Sequence, residues 1–243
     1  MLGWPINIGA DDNPMINSQQ LLSDLQKQVT SLENDFRARC NADPKVDEPL
    51  KADYQKAKAS GRVASTYSVW RDEEITQSAV AWVLACVFIR FLEDNELIET
   101  PYLSGPGPRL QRAKDELEVF FRQHPTQTER EYFEQVFGIV GTLPAMKELF
   151  DRKHNPLWRV GPTGDAAREL LDFWRKTDPD TGLLLHDFAD PTWNTRFLGD
   201  LYQDLSEHAR KRYALLQTPV FVEEFILDRT LTPAIETFGW RVV

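Results

Sequence analysis

Apolar positions recur at helical spacing along most of this chain. Leu22, Leu25, Val29, Leu32 and Phe36 follow one another at steps of three and four, with Asn17 and Gln20 at capping-box spacing ahead of them. The stripe spans only about two heptads, too short for a free-standing coiled coil, and so predicts packing against the rest of the domain. Pro44 and Pro49 break the chain before a helix around Leu50, Tyr54 and Ala57, which Gly61 ends in the left-handed conformation. Between Val69 and Phe91, the residues Trp70, Ile75, Ala79, Trp82, Val83, Cys86, Val87 and Phe91 cover a wide face, the pattern of a central helix surrounded by others.

Thr100 to Pro108, TPYLSGPGP, reads as a loop. Gly105 and Gly107 invite comparison with a phosphate cradle, but Pro106 and Pro108 remove two of the N–H donors that a cradle uses. A helix over 109–123 follows, then Thr126 and Glu129 at capping-box spacing before Tyr132, Phe133, Val136 and Phe137. Pro144 is placed to open a short helix, and Asp165 to cap the helix carrying Leu170, Leu171, Phe173 and Trp174. Asp178-Pro179-Asp180-Thr181-Gly182 is a tight turn, and Leu183 to Phe188 a short strand with no second strand to join. Two or three short helices are expected over 195–205, 206–215 and 219–228, and Thr218-Pro219 and Thr232-Pro233 both look like helix starts. The fold class is therefore mainly α.

Composition narrows this further. The 243 residues are 42% hydrophobic and 27% charged, enough to hold an apolar core without disulfides or metal. The net charge of −10 opposes indiscriminate attraction to nucleic acid, so DNA contact requires a local basic patch. Cys40 and Cys86 are far apart and suggest neither a disulfide framework nor a thiolate metal site. The run Ala79 to Ile89 is too short to span a membrane and reads as a buried helix. No signal peptide is visible, and a cytoplasmic protein with no membrane partner is expected.

Catalytic signatures are missing: His124, His154, His186 and His208 show no metal-ligand spacing, and there is no GxSxG, Walker loop or GxGxxG. Acidic pairs are read as solvated faces. Residues 1–14 form a flexible tail with Met15 an alternative start, 15–197 a helical domain, and 198–243 a further helical segment.

Several long runs carry a family resemblance: MINSQQLLSDLQKQV from Met15, TQSAVAWVLACVFIRFLEDN from Thr76, HNPLWR from His154, and LGDLYQDLSEHARKRYALLQTPVFVEEFIL from Leu198. They resemble the N-terminal region of the adenine-specific DNA methyltransferases of bacterial BREX and Pgl phage-defence systems, relatives of type I restriction-modification methylase subunits. The resemblance implies a multi-helix N-terminal domain of an N6-adenine DNA methyltransferase, without the Rossmann-like catalytic domain. It also implies that Tyr213, Gln217, Thr218 and Pro219 help wall an S-adenosylmethionine pocket. A helix start suits the carboxylate of that donor.

Arg210, Lys211 and Arg212 form the densest basic group and are candidates for DNA phosphate. Neither the glycine turn that seats the donor nor the Asn-Pro-Pro-Tyr-like catalytic motif occurs, and Asn155-Pro156-Leu157-Trp158 reads as a packing turn. No catalytic residue, no metal and no bound cofactor are therefore expected for the chain alone. S-adenosylmethionine, DNA and other phage-defence proteins would engage the full-length enzyme. The alternative is a stand-alone helical interaction module of a defence complex, docking through the Leu22 to Phe36 stripe.

Overall fold

The computed structural model describes residues 18–144, 146–189, 199, 201, 204, 205 and 220–239. The chain divides into two compact units, Met1–Leu198 and Gly199–Val243. In the first unit α1 covers Ser18–Ala42, α2 Pro44–Ala59, α3 Tyr67–Asp94, α4 Pro108–Gln123, α5 Glu129–Val140 and α6 Gly164–Trp174, with a 3-10 turn at Pro156–Trp158. Among the described residues there is no strand; one bridge joins Thr177 to Leu184. The mainly α expectation holds, but the Leu183 to Phe188 segment does not form the expected short strand: beyond the single bridge at Leu184 it has no neighbour to pair with among the described residues.

α3 is the axis of this unit. Each apolar residue expected on its wide face, from Trp70 to Phe91, is buried. By length and composition the whole of α3 is apolar enough to cross a membrane, but 78% of that apolar window is buried inside the protein, and the Ala79 to Ile89 run is the buried helix expected. α1 lies along it, burying Leu21, Leu25, Val29, Leu32, Phe36 and Cys40. Leu21, rather than Leu22, stands on the buried face, because counting back by four from Leu25 and Val29 lands there. With Leu25 and Phe36 fully covered, the stripe is filled by the domain itself and offers no interface to a partner. α5 reaches α3 through aromatic rings: Trp82 lies edge-on to Phe133 and Phe137, with centroids 5.8 and 5.0 Å away.

Several boundaries differ from expectation for local reasons. α2 begins at Pro44 and contains Pro49: Pro44 occupies the first helical position, where no N–H is needed, behind Asp43, whose carboxylate accepts from Lys45 N. The capping box of α5 is Thr128 and Glu131, two residues later than the Thr126 and Glu129 pair. α6 is capped by Thr163, not Asp165, because the Asp35 carboxylate on α1 accepts from both the N–H and the hydroxyl of Thr163 and sets the helix start there. The described residues around Pro144 form turns and no helix. Asp178 folds the expected tight turn, its Oδ1 accepting from the N–H groups of Asp180 and Thr181, with Gly182 at φ 70°.

In the second unit α7 covers Val220–Arg229 and α8 Leu231–Phe238, packed on each other. α8 is capped at Thr230, so Thr232-Pro233 lies inside its first turn instead of opening it. The Thr230 hydroxyl donates back to Ile226 O, the last turn of α7, and the chain re-enters a helix at once. The helices expected at 195–205 and 206–215 fall mostly outside the described residues, as does the 1–14 tail.

Candidate functional site

The densest polar chemistry of the described residues lies at the C-terminal end of α3. Arg90, Glu93 and Asp94 occur one helical turn apart, at spacings that place all three on one side of the helix, and the apolar residues around them carry that side into the core. Arg90 and Glu93 have no exposed surface. Arg90 Nη2 donates to Asp94 Oδ2 at 2.7 Å, Nη1 to the carbonyl of Trp174 at 2.8 Å, and Nη2 also to that of His186 at 3.0 Å. The guanidinium lies 5.8 Å from the Trp174 ring and 5.7 Å from the Phe188 ring, so its charge is met by carboxylate, carbonyls and π faces together.

The two carboxylates complete the arrangement. Asp94 Oδ2 accepts from Phe188 N at 2.9 Å. Glu93 turns the other way: Oε1 accepts from the N–H groups of Tyr102 and Leu103 at 2.6 and 2.8 Å, and Oε2 from Ser104 N at 3.1 Å. Arg175, just past α6, holds the same loop from the far side by donating to the carbonyls of Tyr102, Leu103 and Ala113. Burial pushes the Glu93 carboxyl up to about 7 against the pull of Arg90 and of the three N–H donors. The acidic pair Glu93-Asp94 is thus buried, not the solvated face expected of such pairs.

Chemically this is a clamp. One helix end fixes the 102–104 loop and the 186–188 segment, and no substrate can reach groups that see no solvent. The same contacts bear on the Gly105 and Gly107 loop: the N–H groups of Tyr102, Leu103 and Ser104 ahead of the glycines are engaged by Glu93 and so are not offered to a phosphate, in line with the loop reading. Asn155-Pro156-Leu157-Trp158 packs, as expected: the carbonyls of Pro156 and Leu157 accept from Ser78 Oγ and Trp82 Nε1 of α3, and Asn155 Oδ1 accepts from Leu157 N. No group of His, Cys, Asp or Glu among the described residues could hold a metal ion.

The residues singled out for function lie elsewhere. Tyr213, Gln217, Thr218 and Pro219, expected at the donor pocket, and Arg210, Lys211 and Arg212, expected on DNA, are all outside the described residues. Just beyond them, α7 exposes Phe225, Ile226 and Leu227 in succession, and the Arg229 guanidinium lies 5.5 Å over the Phe225 ring. The clamp was missed from the sequence, although a signal existed: in FIRFLED one cation and two carboxylates interrupt an otherwise apolar run at i, i+3 and i+4, the spacing of mutual neutralisation.

Helices packed against α3, with the charges at its end consumed in holding loops, define a mainly helical domain. Comparison with known proteins adds the lineage. Over 235 residues, 93% of its length, the chain is 48% identical to a curated adenine-specific methyltransferase, PglX, from Streptomyces coelicolor, and it spans 19% of that protein. Over nearly its whole length the chain is thus similar to part of a PglX-type adenine-specific methyltransferase, as the resemblance implied. No family model matches it. No solved structure matches it either.

Proposed function

We propose that this chain is the N-terminal helical part of an S-adenosylmethionine-dependent N6-adenine DNA methyltransferase of a bacterial phage-defence system, acting in the cytoplasm, and that it does not methylate DNA by itself. The observation that carries the reading is the 48% identity to a PglX adenine-specific methyltransferase, sustained over nearly the whole chain. The clamp supports it, since rigid loops on a helical axis are what a domain needs to position other parts of an enzyme. In this reading Tyr213, Gln217, Thr218 and Pro219 line one wall of the donor pocket, and Arg210, Lys211 and Arg212 face DNA. S-adenosylmethionine supplies the methyl group.

A methylation assay on duplex DNA tests this. A reading frame extended beyond Val243 should yield a polypeptide that transfers methyl groups from S-adenosylmethionine to adenine, whereas the 243-residue chain alone should neither turn over nor bind the donor in calorimetry. Turnover by the chain alone, or an extended polypeptide without adenine methylation, overturns the proposal. The second reading, an interaction module for other defence proteins, draws on exposed Phe225, Ile226 and Leu227. It no longer has the α1 stripe as its interface.

A further inference from the structure

A chain carrying a net −10 needs a local basic surface to approach a phosphate backbone, and one is built at the junction of α2 and α3. From Tyr54 to Arg71 the sequence contains Lys56, Lys58, Arg62 and Arg71 and no acidic residue. Arg71 is drawn inward to Asp47, which it shares with Lys51 and the Tyr67 hydroxyl. Lys56 is matched by Asp53 at 3.5 Å. Lys58 and Arg62 are exposed, and among the described residues neither has a carboxylate within ion-pair distance.

Both cations are held in place by uncharged partners. Lys58 Nζ donates to the Tyr54 hydroxyl at 3.0 Å and lies 5.3 Å over the Tyr54 ring. That hydroxyl in turn donates to Ser65 O at 2.9 Å, which ties Lys58 to the residue just before the α3 cap. Arg62 Nε donates to Ser60 Oγ at 2.8 Å, leaving its terminal nitrogens for an outside acceptor. Beside them stand the exposed hydroxyl residues Ser60, Thr66 and Ser68; Thr66 makes no side-chain cap bond, and the first turn of α3 carries no acidic residue. Lysine, arginine and hydroxyl groups near a helix start are the donors that meet DNA phosphates.

The two acidic residues that flank this stretch are already engaged, Asp53 by Lys56 at 3.5 Å and Asp72 by Arg37 at 3.2 Å, and distance decides whether the next ones cancel the patch. Glu48 is set back about 15 Å from Lys58 along α2, and Glu73 about 10 Å from Thr66 along α3, at 1.5 Å per residue. Both exceed a Debye length of about 8 Å at physiological salt, so the local cations are felt first.

We propose that the C-terminal half of α2 and the α2–α3 link form a contact surface for the phosphate backbone of duplex DNA, with Lys58 and Arg62 as its positioning cations. The proposal rests on the reading of this chain as part of a DNA-modifying enzyme. The surface is made of other residues than Arg210, Lys211 and Arg212 and carries no base specificity, since phosphate contacts fix register without reading sequence.

The test is fluorescence anisotropy of a labelled duplex of about 20 bp titrated with the 243-residue chain at several salt concentrations. Replacing Lys58 and Arg62 together by Ala should weaken binding at least about tenfold at low salt and flatten the log K against log salt slope by about 1.8, or about 0.9 per phosphate lost. Lys58→Arg with Arg62→Lys should restore both, and Arg122→Ala on α4 should change neither. Circular dichroism melts of each variant confirm that the fold is intact. Binding of unchanged strength and slope in the double Ala variant, or no duplex binding by the wild-type chain at low salt, overturns the surface. Neither result touches the functional reading, which stands or falls on adenine methylation by the extended polypeptide.

Discussion

Arg90 and Asp94, one turn apart on α3, form an ion pair of 2.7 Å in which neither side chain reaches solvent. Pairs of this kind contribute little net stability over an apolar replacement, because desolvation offsets attraction, but removing one partner strands the other in the core. Arg90→Leu leaves Asp94 and Glu93 buried without a cation and frees the carbonyls of Trp174 and His186. A loss of about 3–5 kcal/mol in urea unfolding is expected. A loss below about 1 kcal/mol would show that the clamp does not hold the fold.

The Glu93 carboxyl, raised by burial from 4.5 to about 7, makes stability depend on pH in an unusual direction. The folded chain binds this proton more tightly than the unfolded chain does. The contribution is therefore full below about pH 4.5 and is lost as pH rises through about 7. Glu93→Gln should remove a decline of roughly 1–3 kcal/mol between pH 5 and 8. Parallel stability–pH curves for the two proteins would contradict the assignment.

Glu131 works in the opposite sense. Burial acts to raise its carboxyl, but hydrogen bonds from the Thr128 hydroxyl and N–H, with Arg130 alongside, hold it down at about 2. Its contribution is present above about pH 4.5 and disappears as pH falls through about 2. Glu131→Ala should cost about 1 kcal/mol at pH 7, the scale of a lost helix cap, and nothing below pH 2. Amide exchange in the first turn of α5 should speed up in the variant.

Gly105 is needed for space as well as conformation. Its φ is +154°, and a Cβ there would stand 2.6 Å from the Arg109 Cβ on the first turn of α4. Gly105→Ala should cost about 1–3 kcal/mol by thermal unfolding. Gly61, with φ +69° and nothing within 4 Å, should accept Asn for less than about 1 kcal/mol, because Asn tolerates the left-handed region and meets no neighbour. Equal costs at the two positions would mean that the close approach to Arg109 is relieved by movement of α4.

Much of the helical layout could be read from the chain alone, because it depends on local periodicity. The wide apolar face from Trp70 to Phe91, the Gly61 stop, the Asp178 turn and the lineage carried by the long quoted runs are properties of contiguous residues. Helix starts were less legible where a distant residue chose among nearby candidates: Asp35 selects Thr163 over Asp165 from 128 positions away. The buried fate of Arg90, Glu93 and Asp94 was decided only in three dimensions. Their partners are N–H and C=O groups of loops, which every residue possesses and which therefore leave no mark on the sequence. Tertiary structure likewise filled the α1 stripe with α3 and left Lys58 and Arg62 facing outward. Periodicity says that a face is apolar and composition that a run is basic, while what lies against each is set by how the helices close on one another.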